Sequence, residues 1–239
     1  MKKLRKAYIA LIMAFLYAPI VLLILYSFND SKSRANWGGF TLRWYKELFS
    51  DAAIMSALST TLSVGLLAAV FSTLLGTVGA IALYQMKRLP RKTLLSIVNL
   101  PMLNSEVVTG VSLMLLFVMA QSFGIGGESG IFGWPTLLIA HITFNLPYVI
   151  LNVMPKLKQT DSSLRDAAMD LGCTPLQAFF KVTLHEIAPG IVSGAIMAFT
   201  MSLDDFVISY FVSGLDFVTL PVEIYSYTKK PLHPKIYAL

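Results

Sequence analysis

The chain has 239 residues, of which 56% are hydrophobic and 13% charged, and its formal net charge is +6. Water-soluble domains carry about 25% charged residues, so this composition excludes an ordinary soluble enzyme or binding module and indicates a membrane protein. The positive charge does not indicate a nucleic-acid partner, because the basic residues form short clusters between apolar runs. The single cysteine, Cys173, excludes an internal disulfide.

Apolar runs of about 20 residues predict five membrane-spanning helices. The first run follows a basic N-terminal cluster and is longer than the apolar region of a signal peptide, so we expect it to be a retained span. A polar, amphipathic segment separates the fourth span from the fifth. The predicted spans cover 7–28, 57–84, 94–123, 134–154 and 189–212, and the polar segment covers 155–188.

The distribution of Lys and Arg predicts a cytoplasmic N-terminus. In that orientation the inner segments 1–6, 85–93 and 155–188 carry twelve basic residues, whereas the outer segments carry seven. Cytoplasmic loops of membrane proteins are enriched in Lys and Arg. The polar segment is therefore expected on the cytoplasmic side.

Within the polar segment, residues 161–188 predict two short helices joined at a glycine. Ser163 is a plausible start for the first helix, and Gly172 suits the left-handed position that ends it. Thr174–Gln177 has the pattern of an N-cap, a first-turn proline and a capping box, and Pro189 is expected to end the second helix. This helix–glycine–helix unit suits a groove on a partner protein, but it equally suits a loop packed on its own bundle. Its second helix carries one apolar stripe of Leu176, Phe179, Phe180, Leu184 and Ile187.

The spacing within this unit decides between those alternatives. Asp166 is followed by two alanines, then after three residues by Gly172, and after nine more by Val182-x-Leu184. This pattern resembles the EAA loop of ABC importer permeases, in which Glu, Ile and a final Pro stand where this chain has Asp166, Val182 and His185. The resemblance implies that a cytoplasmic ATPase is contacted by Asp166, Ala167, Ala168, Gly172, Leu176, Phe179, Phe180 and Leu184.

Further motifs at 17–20, 27–29, 43–45, 140–144 and 202–206 are similar to those of the spermidine/putrescine permease subunits. This resemblance implies a type I ABC importer transmembrane domain in a bacterial inner membrane, all-α, with five spans visible of an expected six. It also implies a second, homologous permease, an ATPase dimer that holds ATP and Mg²⁺, and an extracytoplasmic substrate-binding protein. The chain itself is expected to bind no cofactor.

Three acids lie inside the predicted spans without a Lys or Arg: Glu106, Asp204 and Asp205. A charge at the bilayer centre costs at least about 2.5 kcal/mol, so such acids usually line a pathway, and three of them favour a cation such as a polyamine. Alternatively, the Asp pair lies near the headgroups or binds backbone at a helix break, and Glu106 caps a broken helix. His141 and Asn145, one turn apart, are more typical of interhelical hydrogen bonds than of ligands.

Other classes of function fit the sequence less well. An intramembrane aspartyl protease needs carboxylates that face each other, whereas Asp204 and Asp205 diverge by about 100° on a helix. His185 is not part of an HExxH zinc motif, and the chain has no phosphate-binding G-x-x-x-x-G-K-S/T motif, so we expect it to have no enzymatic activity of its own. The remaining alternatives are a permease for iron, phosphonate or another small solute, or a stand-alone channel or secondary transporter.

Overall fold

A computed structural model describes residues 2–31, 36–124, 130–214, 216–229 and 234–239, and nearly all of these are helical. The chain divides into two compact units, residues 1–57 with 223–239 and residues 58–222. The all-α fold predicted from the sequence is confirmed. In chain order the helices are α1 (Lys2–Ser27), α2 (Arg43–Phe49), α3 (Ala52–Gln85), α4 (Arg88–Leu103), α5 (Glu106–Ser122), α6 (Trp134–Gln159), α7 (Ser162–Asp170), α8 (Pro175–Ala178), α9 (Leu184–Asp204), α10 (Val207–Val212) and α11 (Leu220–Thr228), with a π-helical turn at Phe179–Thr183 and a 3-10 turn at Pro234–Ala238.

Within the described residues, four helices are long and apolar enough to cross a membrane, and a bent pair of helices would make a fifth crossing. The bent pair is α4 and α5, which meet at an angle of 104°. The span predicted over 94–123 is therefore bent within its range, at the helix break that the sequence suggests before Glu106. The chain is extended at Asn104 and Ser105, and the Ser105 hydroxyl accepts a hydrogen bond from the Val108 N–H at 3.4 Å, which starts a new helix. The four long helices are Lys3–Ser27, Ala52–Gln85, Trp134–Gln159 and Pro175–Asp204.

The last of these, hereafter the long helix 175–204, corrects two predictions. It runs without interruption from α8 through the π turn into α9, and Pro189 lies inside it instead of ending it. A proline leaves the carbonyl four residues earlier, here that of His185, without its helical partner, and His185 is exposed in this chain. The helix then ends at Asp204, so the span predicted over 189–212 is broken before α10.

The core of the unit 58–222 is built around α6, which packs closely against α9. Glycines permit this approach. A Cβ atom on Gly190 would lie 2.9 Å from the Asn152 carbonyl oxygen, and one on Gly194 would lie 3.3 Å from the Val149 Cα. Gly76 of α3 meets the same Val149, where an added Cβ would come within 2.7 Å of its side chain. Small residues thus bring three helix backbones together, as is usual for membrane bundles.

The unit formed by residues 1–57 and 223–239 is held by a polar cluster at the start of α3. Asp51 accepts a hydrogen bond from the Ala53 N–H at 3.0 Å and forms an ion pair with Lys235 at 2.5 Å. Both side chains are mostly buried, at 17% and 16% exposure. The hydrogen bond with Lys235 lowers the pKa of the Asp51 carboxyl, and the same bond raises the pKa of Lys235. Both groups are therefore charged at neutral pH.

Candidate functional site

The N-cap of α7, the first helix of the polar segment, lies two residues before the predicted Ser163. Asp161 is the N-cap, and its carboxylate accepts a hydrogen bond from the Ser163 N–H at 3.0 Å. This backbone hydrogen bond lowers the pKa of the Asp161 carboxyl. An aspartate cap combines a strong acceptor with a charge that suits the positive end of the helix dipole, which explains why it is used here instead of the serine hydroxyl.

The turn at Gly172 has the geometry that the sequence predicts. Gly172 has a φ of +88°, its N–H donates to the Met169 carbonyl at 2.9 Å, and the Cys173 N–H donates to the Ala168 carbonyl at 3.1 Å. These two bonds make a Schellman motif, which a left-handed residue completes. Thr174 and Gln177 then form a reciprocal capping box. The Gln177 N–H donates to the Thr174 hydroxyl at 3.3 Å, and the Gln177 side chain accepts from the Thr174 N–H at 3.0 Å.

The single apolar stripe predicted for the second helix is divided between two faces. Leu176 and Phe180 are 68% and 58% exposed, whereas Leu184 packs against the core and Ile187 is fully buried. A π turn at Phe179–Thr183 lies between Leu176 and Leu184. A π turn closes its hydrogen bond over five residues instead of four, so residues after it are rotated about the axis relative to residues before it.

Of the predicted ATPase-contacting residues, Asp166 and Ala167 are exposed, and Ala168 is half-buried. The sequence reading missed two exposed leucines in the same unit, Leu164 and Leu171, which are 45% and 86% exposed. Leu171 could have been found from the sequence, because it is an apolar residue directly before the glycine that ends α7. We call the exposed set the coupling surface, and it consists of Leu164, Asp166, Ala167, Leu171, Leu176 and Phe180.

A cavity of about 570 Å³ lies beside this unit. Arg165 and Met169 of α7 and Phe179 of the π turn line one side, and Tyr84 of α3 and Leu157 of α6 line the other. The cavity separates α7 from the ends of α3 and α6. Two helices therefore connect the coupling surface to the bundle: α6, which is separated from α7 by two residues, and the long helix 175–204.

The two adjacent acids at the far end of the long helix have different environments. Asp205 is buried, and its Oδ1 accepts a hydrogen bond from the Ile208 N–H at 3.2 Å. Its Oδ2 accepts from the Ser209 N–H at 2.7 Å and from the Ser209 hydroxyl at 2.8 Å, and it lies 3.6 Å from His141 Nε2. Asp205 thus caps α10 at the helix break.

Asp204 lies on the opposite, exposed side of the helix, in line with Val192, Ile196 and Thr200 at intervals of four residues. Its carboxylate accepts no hydrogen bond from any residue that the structure describes. Glu106 is also exposed, in the first turn of α5, where a negative charge suits the helix dipole. Two of the three predicted pathway acids are therefore available to a ligand, and the third is engaged in hydrogen bonds.

The other polar residues of α6 join helices, as the sequence indicates. The Asn145 side-chain amide donates to the Ser202 hydroxyl at 2.7 Å, and both residues are buried. His141 is 1% exposed, and its Nδ1 lies 2.8 Å from the Leu137 carbonyl oxygen. Within the described ranges, no three His, Cys, Asp or Glu side chains meet in a group that could hold a metal ion.

Apolar spans, an exposed helix–turn–helix unit between two of them, and exposed acids at two helix breaks indicate a multi-pass membrane permease. The family described as "Binding-protein-dependent transport system inner membrane component" matches residues 72–230. The chain therefore belongs to this family.

Relatives and solved structures agree with that assignment. The chain is 42% identical over 227 residues to the putrescine transport system permease protein PotI of Escherichia coli (strain K12), covering 94% of this chain and 80% of PotI. It is 35% identical over 236 residues to the spermidine/putrescine transport system permease protein PotC of the same strain, covering 99% and 86%. A bacterial ABC transporter that imports the acidic polysaccharide alginate has the same fold, with a TM-score of 0.75 at 16% identity over 99% of this chain and 86% of that chain.

Proposed function

We propose that this chain is a membrane-spanning permease subunit of an ATP-driven importer that carries a polyamine, putrescine or spermidine, into the cytoplasm. Family membership supports the importer class, and the names of the relatives PotI and PotC support the cargo. The observation that carries the mechanism is the long helix 175–204, which joins the coupling surface at one end to Asp204 at the other. One helix therefore links the coupling surface to an exposed acid that accepts no hydrogen bond from the residues that the structure describes.

In this proposal a cytoplasmic ATPase dimer binds the coupling surface. The apolar side chains of this surface, such as Leu164, Leu171 and Leu176, are 45% to 86% exposed. Burying them in a groove of a partner protein is favourable, because it removes apolar area from water. Because the Schellman turn and the capping box fix α7 to the long helix, closure of the ATPase dimer moves both together. The movement reaches Asp204 as a rotation or tilt of the helix, which supplies alternating access.

The cargo would be recognised by charge. Asp204 and Glu106 are exposed acids, and a desolvated carboxylate attracts an ammonium group much more strongly than it does in bulk water. An anion such as phosphonate would be repelled by the same pair. A polyamine carries several ammonium groups, so it suits a pathway that contains more than one exposed acid.

The remaining parts belong to partner subunits. A second, homologous permease would complete the pathway, and an extracytoplasmic protein would deliver the cargo. One of the structural neighbours is a bacterial alginate transporter in complex with a pentasaccharide-bound periplasmic protein, with a TM-score of 0.75 at 17% identity over 99% of this chain and 85% of that chain. ATP and Mg²⁺ would be held by the ATPase, and the N-terminus would be cytoplasmic, as the basic residues indicate. This chain would act by conformational change and not as an enzyme.

Uptake by the complete transporter in proteoliposomes tests the proposal. We expect ATP-dependent accumulation of labelled putrescine or spermidine that excess unlabelled polyamine inhibits and that phosphonate and ferric iron do not. Uptake that proceeds without the ATPase subunit would instead indicate a channel or secondary transporter. ATP-dependent uptake of another solute alone would reassign the cargo and keep the importer class.

A further inference from the structure

The break between α9 and α10 has more polar contacts than the start of a helix needs. A single capping bond would start α10, yet Asp205 accepts three hydrogen bonds and also approaches His141 at 3.6 Å. The side chains of His141 and Asp205 are only 1% and 3% exposed. Ser209 is fully buried, and its hydroxyl lies 3.5 Å from His141 Nε2 as well. Three polar side chains from two helices therefore meet at one buried point.

This point adjoins the end of the long helix 175–204. One turn earlier, Ser202 is bonded to Asn145 of α6, so the buried face of the helix is attached to α6 at two successive places. Asp204 lies between these attachments in sequence and points to the exposed face. Its direction is consequently set by neighbours that hold the buried face, because its own carboxylate has no bonding partner among the described residues.

We propose that Asp205, Ser209 and His141 form an anchor that orients Asp204 toward the translocation pathway, so that Asp205 acts on transport through Asp204 and does not touch the cargo. The inference rests on the proposed importer function. It divides the acid pair into a cargo-binding residue and a positioning residue. A direct cargo contact by Asp205 would require an ammonium group to enter a buried site and displace donors that already satisfy both carboxylate oxygens.

Thiol labelling in the assembled transporter tests the anchor without cargo. Cys173 is the single cysteine of the chain, so Cys173→Ser gives a clean background. Thr200→Cys then places a reporter one turn from Asp204 on the same exposed face and leaves both acids intact. The rate of modification by a water-soluble, positively charged methanethiosulfonate reports how this face is presented to the aqueous pathway.

Ser209→Ala removes one bond to Asp205 and is the mild anchor variant. We expect it to change the labelling rate of the reporter about fivefold, the factor that the loss of one hydrogen bond implies. Asp205→Asn, which keeps a capping oxygen, should change the rate in the same direction. Ser72→Ala is the matched control, because Ser72 is also fully buried and hydrogen-bonded but lies on α3. Its rate should stay within about twofold of the background.

Three results would overturn the proposal. A reporter that is never labelled would place this face away from the pathway. A rate that is unchanged by both anchor variants would show that the anchor does not set the orientation. An increase in the KM for polyamine in Asp205→Asn, with an unchanged labelling rate, would make Asp205 a cargo ligand.

Transport kinetics separate this inference from the proposed function. Asp204→Asn should raise the KM for polyamine about tenfold and leave the stability of the complex unchanged, as expected for loss of a charged binding partner. If the unmodified transporter imports no polyamine, the cargo assignment fails, but the labelling rates still decide whether the anchor orients the helix. If uptake is normal and the labelling rates do not respond, only the anchor fails.

Discussion

The long helix 175–204 is bounded by two interruptions that are built differently. At its start, the Gly172 turn is exposed and is held by bonds between residues close in sequence, such as that from Cys173 to Ala168. At its end, the break at Asp205 is buried and includes a contact with His141 from another helix. The Gly172 end therefore carries its own conformation, whereas the conformation of the Asp205 end depends on the packing of the bundle. Mutations at the two ends should therefore impair different properties: transport at the Gly172 end and stability at the Asp205 end.

The largest expected effect on transport comes from Gly172→Asp. The glycine has a φ of +88°, where a side chain costs about 1–2 kcal/mol, and a carboxylate at the C-terminal end of α7 also opposes the helix dipole. We expect ATP-dependent uptake to fall to background while the amount of assembled transporter is unchanged. Gly124→Asp is the control, because Gly124 has a similar φ of +83° and follows α5 outside the coupling surface. Equal loss of uptake in both variants would contradict a special role for the Gly172 turn.

The largest expected effect on stability comes from the other end. Asp205→Ala leaves the Ile208 and Ser209 N–H groups and the Ser209 hydroxyl without their acceptor in a buried site, at a cost of roughly 3 kcal/mol. The melting temperature of the detergent-solubilised transporter should fall clearly. Asp204→Ala, one residue away but exposed, should leave it unchanged. Similar melting temperatures for the two variants would remove the distinction between the acids.

A smaller effect is expected from Thr174→Ala, which removes the N-cap of the long helix. Loss of such a cap typically costs about 1 kcal/mol, and here the cost should stay local because both bonds of the capping box join Thr174 to Gln177. Hydrogen–deuterium exchange should become about fivefold faster at the first turn of the helix, with no change at α10. Thr174→Ser should restore the slow exchange. Faster exchange at α10 would show that the two ends are coupled in stability.

The smallest effect concerns pH. The hydrogen bond from the Ser163 N–H lowers the pKa of the Asp161 carboxyl in the folded protein. The stabilisation of α7 by this cap is therefore complete above about pH 3.9, the ordinary pKa of an aspartate, and is lost as the pH falls through the lower pKa of the folded state. Asn is an equally good cap without a charge. Asp161→Asn should therefore match the unmodified protein between pH 5 and 8, and exchange in α7 should differ between the two only below about pH 4. A difference near pH 7 would mean that the charge of Asp161 has another role.

The same contrast explains what the sequence could predict. The Gly172 turn and the Thr174 capping box were predictable because their bonds join residues within about one turn. The side-chain orientation of Asp205 was not predictable, because it depends on a contact with His141 of another helix. An aspartate can also cap a helix at many positions, so its identity alone does not show that it does so here. The break between α4 and α5 was among the alternatives that the sequence suggested for Glu106. The continuation of the helix through Pro189 was not predictable, because a proline can either end a helix or lie inside one that its neighbours stabilise.

The π turn at Phe179–Thr183 has a consequence for how such a subunit can evolve. On the predicted stripe, Leu176 before the turn and Phe180 within it are exposed, whereas Leu184 and Ile187 after it pack against the core. If the proposed ATPase binds here, substitutions at Leu176 or Phe180 would adapt the chain to a different ATPase without disturbing the packing of Leu184 and Ile187. Conversely, the bundle could be repacked for another cargo without altering the exposed face. In the proposed importer, partner recognition and cargo recognition could then vary separately within a single helix.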